Sequence, residues 1–213
     1  MKHLRIFSAL AALLLGTAAL AQTPEEIISS MDKEMSKYDE ADGVVMTVDI
    51  KMPILGTMSS KTWTLGNKNR VEANAMGATI ITWDDGTTTW TYDGKKNEIT
   101  IEKSKINKDG SKESSDGDLS MFDGITDGYD LSITKETAKA WYIRCKKSKS
   151  NKDKDAPKKM DLVVAKGSYY PLSLSASAGG LDMTMKDISF GVKEEEVTFN
   201  QADFPTAAIV DKR

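Results

Sequence analysis

Between Thr79 and Ile101 the chain reads TIITWDDGTTTWTYDGKKNEITI, three runs of β-branched and aromatic residues broken by Asp85-Gly86 and Asp93-Gly94. Asp-Gly between alternating apolar residues is a strong hairpin signal, so this stretch must fold as a meander whose successive side chains point to opposite faces. Trp90 and Tyr92 share one strand face, and Ile99 and Ile101 return alongside them after the second turn. The same period of two runs through Val44–Met52, where Val44, Met46, Val48, Ile50 and Met52 alternate with Val45, Thr47, Asp49 and Lys51. Comparable runs hold Trp63 and Leu65, Ile81 and Trp83, Leu131 and Ile133, Trp141 and Ile143, Leu162 and Val164, Leu172 and Leu174, Met183 and Met185, and Val197 and Phe199. An antiparallel sheet of about ten strands results, and a sheet that wide must curl or close.

One helix is expected ahead of the strands. Thr23 is its N-cap, Pro24 its first residue and Glu26 the partner in a T-x-x-E capping box. Ile27, Ile28, Met31, Met35 and Tyr38 give it one apolar face, and Gly43 supplies its stop. Further upstream, Lys2 and Arg5 precede an apolar run from Ile6 to Leu20 that ends on Ala19–Ala21, the pattern of a cleavable secretory signal peptide over residues 1–21. Gln22 rather than cysteine follows the cut, so the mature chain, residues 22–213, is expected to be one exported domain without a lipid anchor.

Composition excludes several function classes. Removing the signal takes two basic residues and no acid from 29 basic and 32 acidic ones, leaving a net charge of −5 and no reason to bind nucleic acid. The single histidine, His3, leaves with the signal, and Cys145 is the single cysteine. A chain so equipped builds neither a Ser-His-Asp triad nor a Cys-His pair, so no catalytic residue and no cofactor are assigned. The Asp-Gly clusters at Asp109, Asp116, Asp118, Asp123 and Asp127 do not follow the spacing of a calcium loop and read as turns, so no metal is assigned either.

Two irregular segments interrupt the strands. Lys103–Gly128 is long for a hairpin and holds one apolar cluster, Leu119, Met121, Phe122 and Ile125, a candidate lid over the sheet. Lys146–Lys159 carries seven lysines against two aspartates, which reads as a solvated hairpin tip or as a docking surface for anionic lipid or an acidic partner. One helix covers only part of so wide a sheet, so the rest of its apolar face needs a second layer or a ligand. Met46, Val48, Ile50, Trp63, Leu65, Trp90, Tyr92, Ile99 and Ile101 are the candidate wall of that cavity. Methionines at Met46, Met52, Met183 and Met185, where Val or Ile would be the better strand formers, suit a wall that repacks around ligands or fills gaps in a plain core.

The order of these features resembles the periplasmic outer-membrane lipoprotein carriers (LolA) and their relatives over nearly the whole mature chain. Asp85, Gly86, Trp90, Tyr92 and Asp93 match the family pattern D-G-x-x-x-W-x-Y-[DN], and VTFNQADFPTAAIVDKR is similar to its closing segment, with Val197 in place of the first aromatic residue. The resemblance implies an α+β fold: a single curved, unclosed antiparallel β-sheet, or half-barrel, with the N-terminal helix and short lid helices over a concave apolar face. It also implies a soluble monomer in the periplasm that shields lipoprotein acyl chains without chemistry, taking them from an inner-membrane donor complex to an outer-membrane acceptor. A lipid-sensing or protein-interaction module on the same fold is the alternative. The carriers' lid-holding Arg-Pro is absent from LGNKNR, where Leu65 and Gly66 stand and only Arg70 follows.

Overall fold

A computed structural model of the chain describes residues 22–39, 41–52, 56–75, 77–105, 126–154, 156–178 and 180–213. The lid candidates Leu119, Met121, Phe122 and Ile125 lie outside the described residues. No helix among the described residues is long and apolar enough to cross a membrane.

Helix α1, Pro24–Met35, starts as its sequence dictates. Thr23 Oγ1 accepts from the Glu26 amide and the Glu26 carboxylate accepts from the Thr23 amide, which satisfies two amides that a helix start leaves bare. It stops at Met35, well before the expected Gly43. Ser36 caps it through its amide to the Asp32 carbonyl, and a turn follows in which the Asp42 carboxylate accepts from the Asp39 amide and the Asp39 carboxylate from the Ala41 amide. Tyr38 is therefore off the helix, yet it still reaches the core, stacked on Phe190 at 4.1 Å between ring centres.

Twelve strands follow among the described residues: β1 (Val44–Met52), β2 (Gly56–Leu65), β3 (Lys68–Ala75), β4 (Ala78–Asp84), β5 (Thr88–Asp93), β6 (Glu98–Lys103), β7 (Tyr129–Glu136), β8 (Ala140–Lys147), β9 (Lys159–Ala165), β10 (Pro171–Ala178), β11 (Leu181–Phe190) and β12 (Ala208–Asp211). They make one unclosed sheet in the order β12-β6-β5-β4-β3-β2-β1-β11-β10-β9-β8-β7, so two meanders meet where β1 pairs with β11. Every pairing is antiparallel except that of β12 with β6. Between β11 and β12 lie helix α2, Glu194–Val197, and a single 3₁₀ turn at Gln201–Asp203. The expected strand at Val197 and Phe199 is thus a short helix and the coil after it: three glutamates in a row favour a helix start, where they face its positive end.

The ladder assigns every strand residue to a face, because directly paired residues point the same way. Val44, Met46, Val48 and Ile50 share the first face, with Phe190, Met185 and Met183 of β11 on one side and Thr64, Thr62, Ser60 and Met58 of β2 on the other. Leu174, Leu162, Ile143 and Ile133 continue that face out to β7. Met183 and Met185 differ in parity from Ile188 and Phe190, but a bulge at Asp187, whose φ is +52°, absorbs one residue and returns all four to one side. Over this half of the sheet lies α1, with Ile27, Ile28, Met31 and Met35 buried against Trp141, Ile143, Leu162, Val164 and Ile188. Burying those four helix side chains gains about 2 kcal/mol each.

The second face behaves differently. Val45 pairs with Trp63, Trp63 with Arg70, Arg70 with Trp83, Trp83 with Trp90 and Trp90 with Ile101, so one row of large side chains runs across six strands. Tyr92 and Ile99 stand in the next row with Ile81. The candidate wall is therefore corrected in one respect. Met46, Val48 and Ile50 lie on the first face, whereas Trp63, Leu65, Trp90, Tyr92, Ile99 and Ile101 lie on the second, so the nine residues do not form one surface.

Candidate functional site

The row of tryptophans on the second face is covered by the chain's own C-terminal segment. Phe199 stacks on Trp90 at 5.4 Å and meets Trp83 edge-on at 5.4 Å, while Phe204 lies 4.6 Å from Tyr92 and 5.6 Å from Trp83. Val192 and Val197 pack on Trp63, with Val45 and Leu65 beside them, and Ile99 is fully buried. The meander's aromatic face is thus closed by residues 192–204 and not by α1.

Arg70 fixes that cover. Its guanidinium sits 4.7 Å from the Trp63 ring centre and 5.6 Å from that of Trp83. One terminal nitrogen donates to the Glu196 carbonyl at 3.2 Å, and the other pairs with Glu72. A guanidinium between two indoles gains cation–π attraction on both sides and keeps a fixed orientation, so Arg70 pins α2 to β3. The sequence marks Arg70 only as a basic residue after LGNK; its partners are set by the β2–β3 register.

The first face is closed only in part. At the end where α1 lies, Tyr170 donates to the Ile188 carbonyl at 3.2 Å, and burial chiefly, with Tyr38 and Glu34 adding, pushes its hydroxyl up to about 12. Cys145 is buried on the same face, and burial pushes its thiol up to about 11. At pH 8 a thiol of that pKa is roughly one part in a thousand thiolate, far below a free cysteine. Labelling with a thiol reagent is expected to be at least a hundredfold slower in the native protein than in urea; equal rates would show Cys145 to be accessible.

Toward the opposite end of the first face, the apolar residues lose their cover among the described residues. Met183 pairs with Ile50, which pairs with Met58, and Met52 follows at the β1 end. Met58, Leu181 and Met183 are 41%, 44% and 38% exposed, which is unusual for large apolar side chains on the two strands that flank β1. Val48 and Met185 connect this patch to the core under α1. Three of the sequence candidates, Met46, Val48 and Ile50, thus lie between a closed core and an open methionine surface. Polar residues line two depressions elsewhere among the described residues: one of about 410 Å³ by Thr47, Lys61, Glu72 and Asn74 among others, and one of about 480 Å³ by Thr79, Tyr92 and Lys95 among others.

No protein-family model matches the sequence, and no curated protein matches it. Solved structures do match. The chain is similar to LprF from Mycobacterium bovis, with a TM-score of 0.51 at 8% identity over 80% of this chain and 95% of that one. It is also similar to an uncharacterized conserved protein from Thermus thermophilus, with a TM-score of 0.42, 16% identity, and 88% and 98% of the two chains covered. A LolA superfamily protein from Nitrosomonas europaea matches with a TM-score of 0.32 at 12% identity over 85% and 100% of the chains. At such identities the likeness is one of fold.

Proposed function

We propose that this chain is a non-enzymatic carrier of lipid acyl chains, exported to the periplasm by residues 1–21 and moving lipoproteins from an inner-membrane donor to an outer-membrane acceptor. The observation that carries the reading is the open methionine surface of Met58, Met183 and Leu181 around Ile50. An acyl chain gains about 0.8 kcal/mol for each CH₂ it buries, so eight methylenes laid on such a surface gain about 6 kcal/mol. Unbranched thioether side chains adapt to chains of different length and bend, which a carrier of varied cargo requires. The sequence resemblance to the lipoprotein carriers points the same way.

Mature protein titrated with a fluorescent fatty-acyl probe is expected to bind it, and Met58→Asp with Met183→Asp is expected to weaken binding at least tenfold, because a carboxylate opposes apolar contact. Both positions are exposed, so melting should change little. Unchanged affinity in the double variant would remove the surface from the site. Lipid-free protein from its native envelope that instead pulls down a membrane regulator would favour the sensing module over the carrier.

A further inference from the structure

The seven lysines of Lys146–Lys159 remain without a role in acyl-chain binding. In the structure they are not a loose tip. The Ser148 amide donates to the Gly128 carbonyl at 3.0 Å, the Lys147 amide to the Lys158 carbonyl at 3.0 Å, and the Tyr129 hydroxyl to the Pro157 carbonyl at 2.9 Å. Asn151 packs so closely on Gly128 that a Cβ there would stand 2.9 Å from its side-chain amide. The loop is held against the start of β7, and Lys149, Lys152, Lys154 and Lys158 are exposed on it. Lys159, at the start of β9, pairs with Asp161 at 3.1 Å.

Topology puts this loop beside the methionine surface. The β8–β9 and β10–β11 connections leave the same end of the sheet, and the order β11-β10-β9-β8 makes them neighbours, about 10 Å apart at two strand spacings. The β1–β2 connection leaves from that end as well. Exposed Leu181 and Met183 therefore stand next to a basic loop on a chain whose mature net charge is negative.

We propose that this end of the sheet docks on an anionic phospholipid bilayer, the lysines meeting acidic headgroups while Leu181 and Met183 face the acyl region. The inference rests on the methionine surface being the acyl-chain seat, whose open end would then face the membrane. The loop's composition favours a lipid surface over an acidic protein. It contains neither arginine nor an aromatic residue, the types that protein interfaces enrich, and lysine is the type they deplete. Lysine as a compact, strongly hydrated charge suits a diffuse field of headgroups better than a fitted site. Docking is oriented, because the net negative charge of the rest of the chain is repelled by the same surface.

The test is flotation of the mature protein with vesicles of phosphatidylcholine alone or with about 30% phosphatidylglycerol, at low and high salt. Binding is expected on the anionic vesicles only, weakening as salt rises. Changing Lys149, Lys152, Lys154 and Lys158 together to Gln should weaken it by on the order of 500-fold, at roughly fivefold for each lysine beside an anionic surface. The same four changed to Arg should keep it. Equal vesicle binding by the Gln variant and the parent would overturn the proposal, as would polyglutamate binding the parent more tightly than the vesicles do. The Gln variant should bind the acyl probe as the parent does. If the parent fails to bind the probe yet still floats with anionic vesicles, the acyl seat is wrong and the docking end stands.

Discussion

Replacing Phe199 and Phe204 together with alanine is expected to destabilise the protein by about 5 kcal/mol, less than two fully buried Phe→Ala changes since both rings are partly exposed. These rings lie over Trp83, Trp90 and Tyr92, so their loss exposes three aromatic side chains at once. Phe199 and Phe204 also stack on each other at 6.2 Å, so the two single variants should not add up to the double. Urea titration followed by tryptophan emission reads both effects: a lower midpoint, and native emission shifted to the red. Acyl-probe affinity, measured where the variant is still folded, should stay within about twofold of the parent, because these rings stand on the opposite face from Met58 and Met183. A double variant that keeps its stability but loses the probe would reverse the roles assigned to the two faces.

That division was half legible in the sequence. Alternation correctly groups Trp90 with Tyr92 and Ile99 with Ile101, because a strand's period of two is local. It cannot say which side of β2 meets which side of β1, since a slip of one residue in register exchanges every side chain between faces. The observed pairing of Val45 with Trp63 sets β2's tryptophan against the odd residues of β1 and leaves Thr62 and Ser60 beside Met46 and Val48. The bulge at Asp187 is hidden for the same reason, as an extra residue in one strand leaves no mark on composition. The strand β12 is four residues long and parallel, too short for alternation to declare it. By contrast, the start of α1 was fully legible, since Thr23, Pro24 and Glu26 act within one turn of each other.

The two faces also differ in what they need. Around Trp83 and Trp90 the chain supplies its own cover, so this half gains stability from aromatic burial. Around Ile50 the neighbours are Met58 and Met183, flexible side chains left facing outward. A carrier needs both properties. If the proposed carrier reading holds, the aromatic face would keep the sheet's shape while the open end of the first face exchanged contacts with cargo, and their placement on opposite faces would keep cargo release from loosening the aromatic cover.

Gly43→Ala should reveal how tightly those faces are joined, with an expected loss of about 3 to 4 kcal/mol. Gly43 has a φ of +61°, and an L residue held there costs about 1–2 kcal/mol. Its missing Cβ would also lie 2.5 Å from the Thr64 carbonyl oxygen and 2.9 Å from the Val192 Cβ. Backbone cannot move aside as a flexible side chain does, so this overlap adds about 1–3 kcal/mol. Next to it, the Asp42 carbonyl accepts from both the Gly191 and Val192 amides at 2.9 and 2.8 Å, the point where the chain leaving β11 starts toward the C-terminal cover. Gly66→Ala is the control, because Gly66 has a φ of +53° but nothing within 4 Å of a built Cβ, and it should cost only the conformational part, about 1 kcal/mol. Urea denaturation of both variants separates the two contributions. Equal losses at Gly43 and Gly66 would mean that the backbone around Thr64 and Val192 yields freely, and that the junction between α1's half and the aromatic half is looser than its close packing implies.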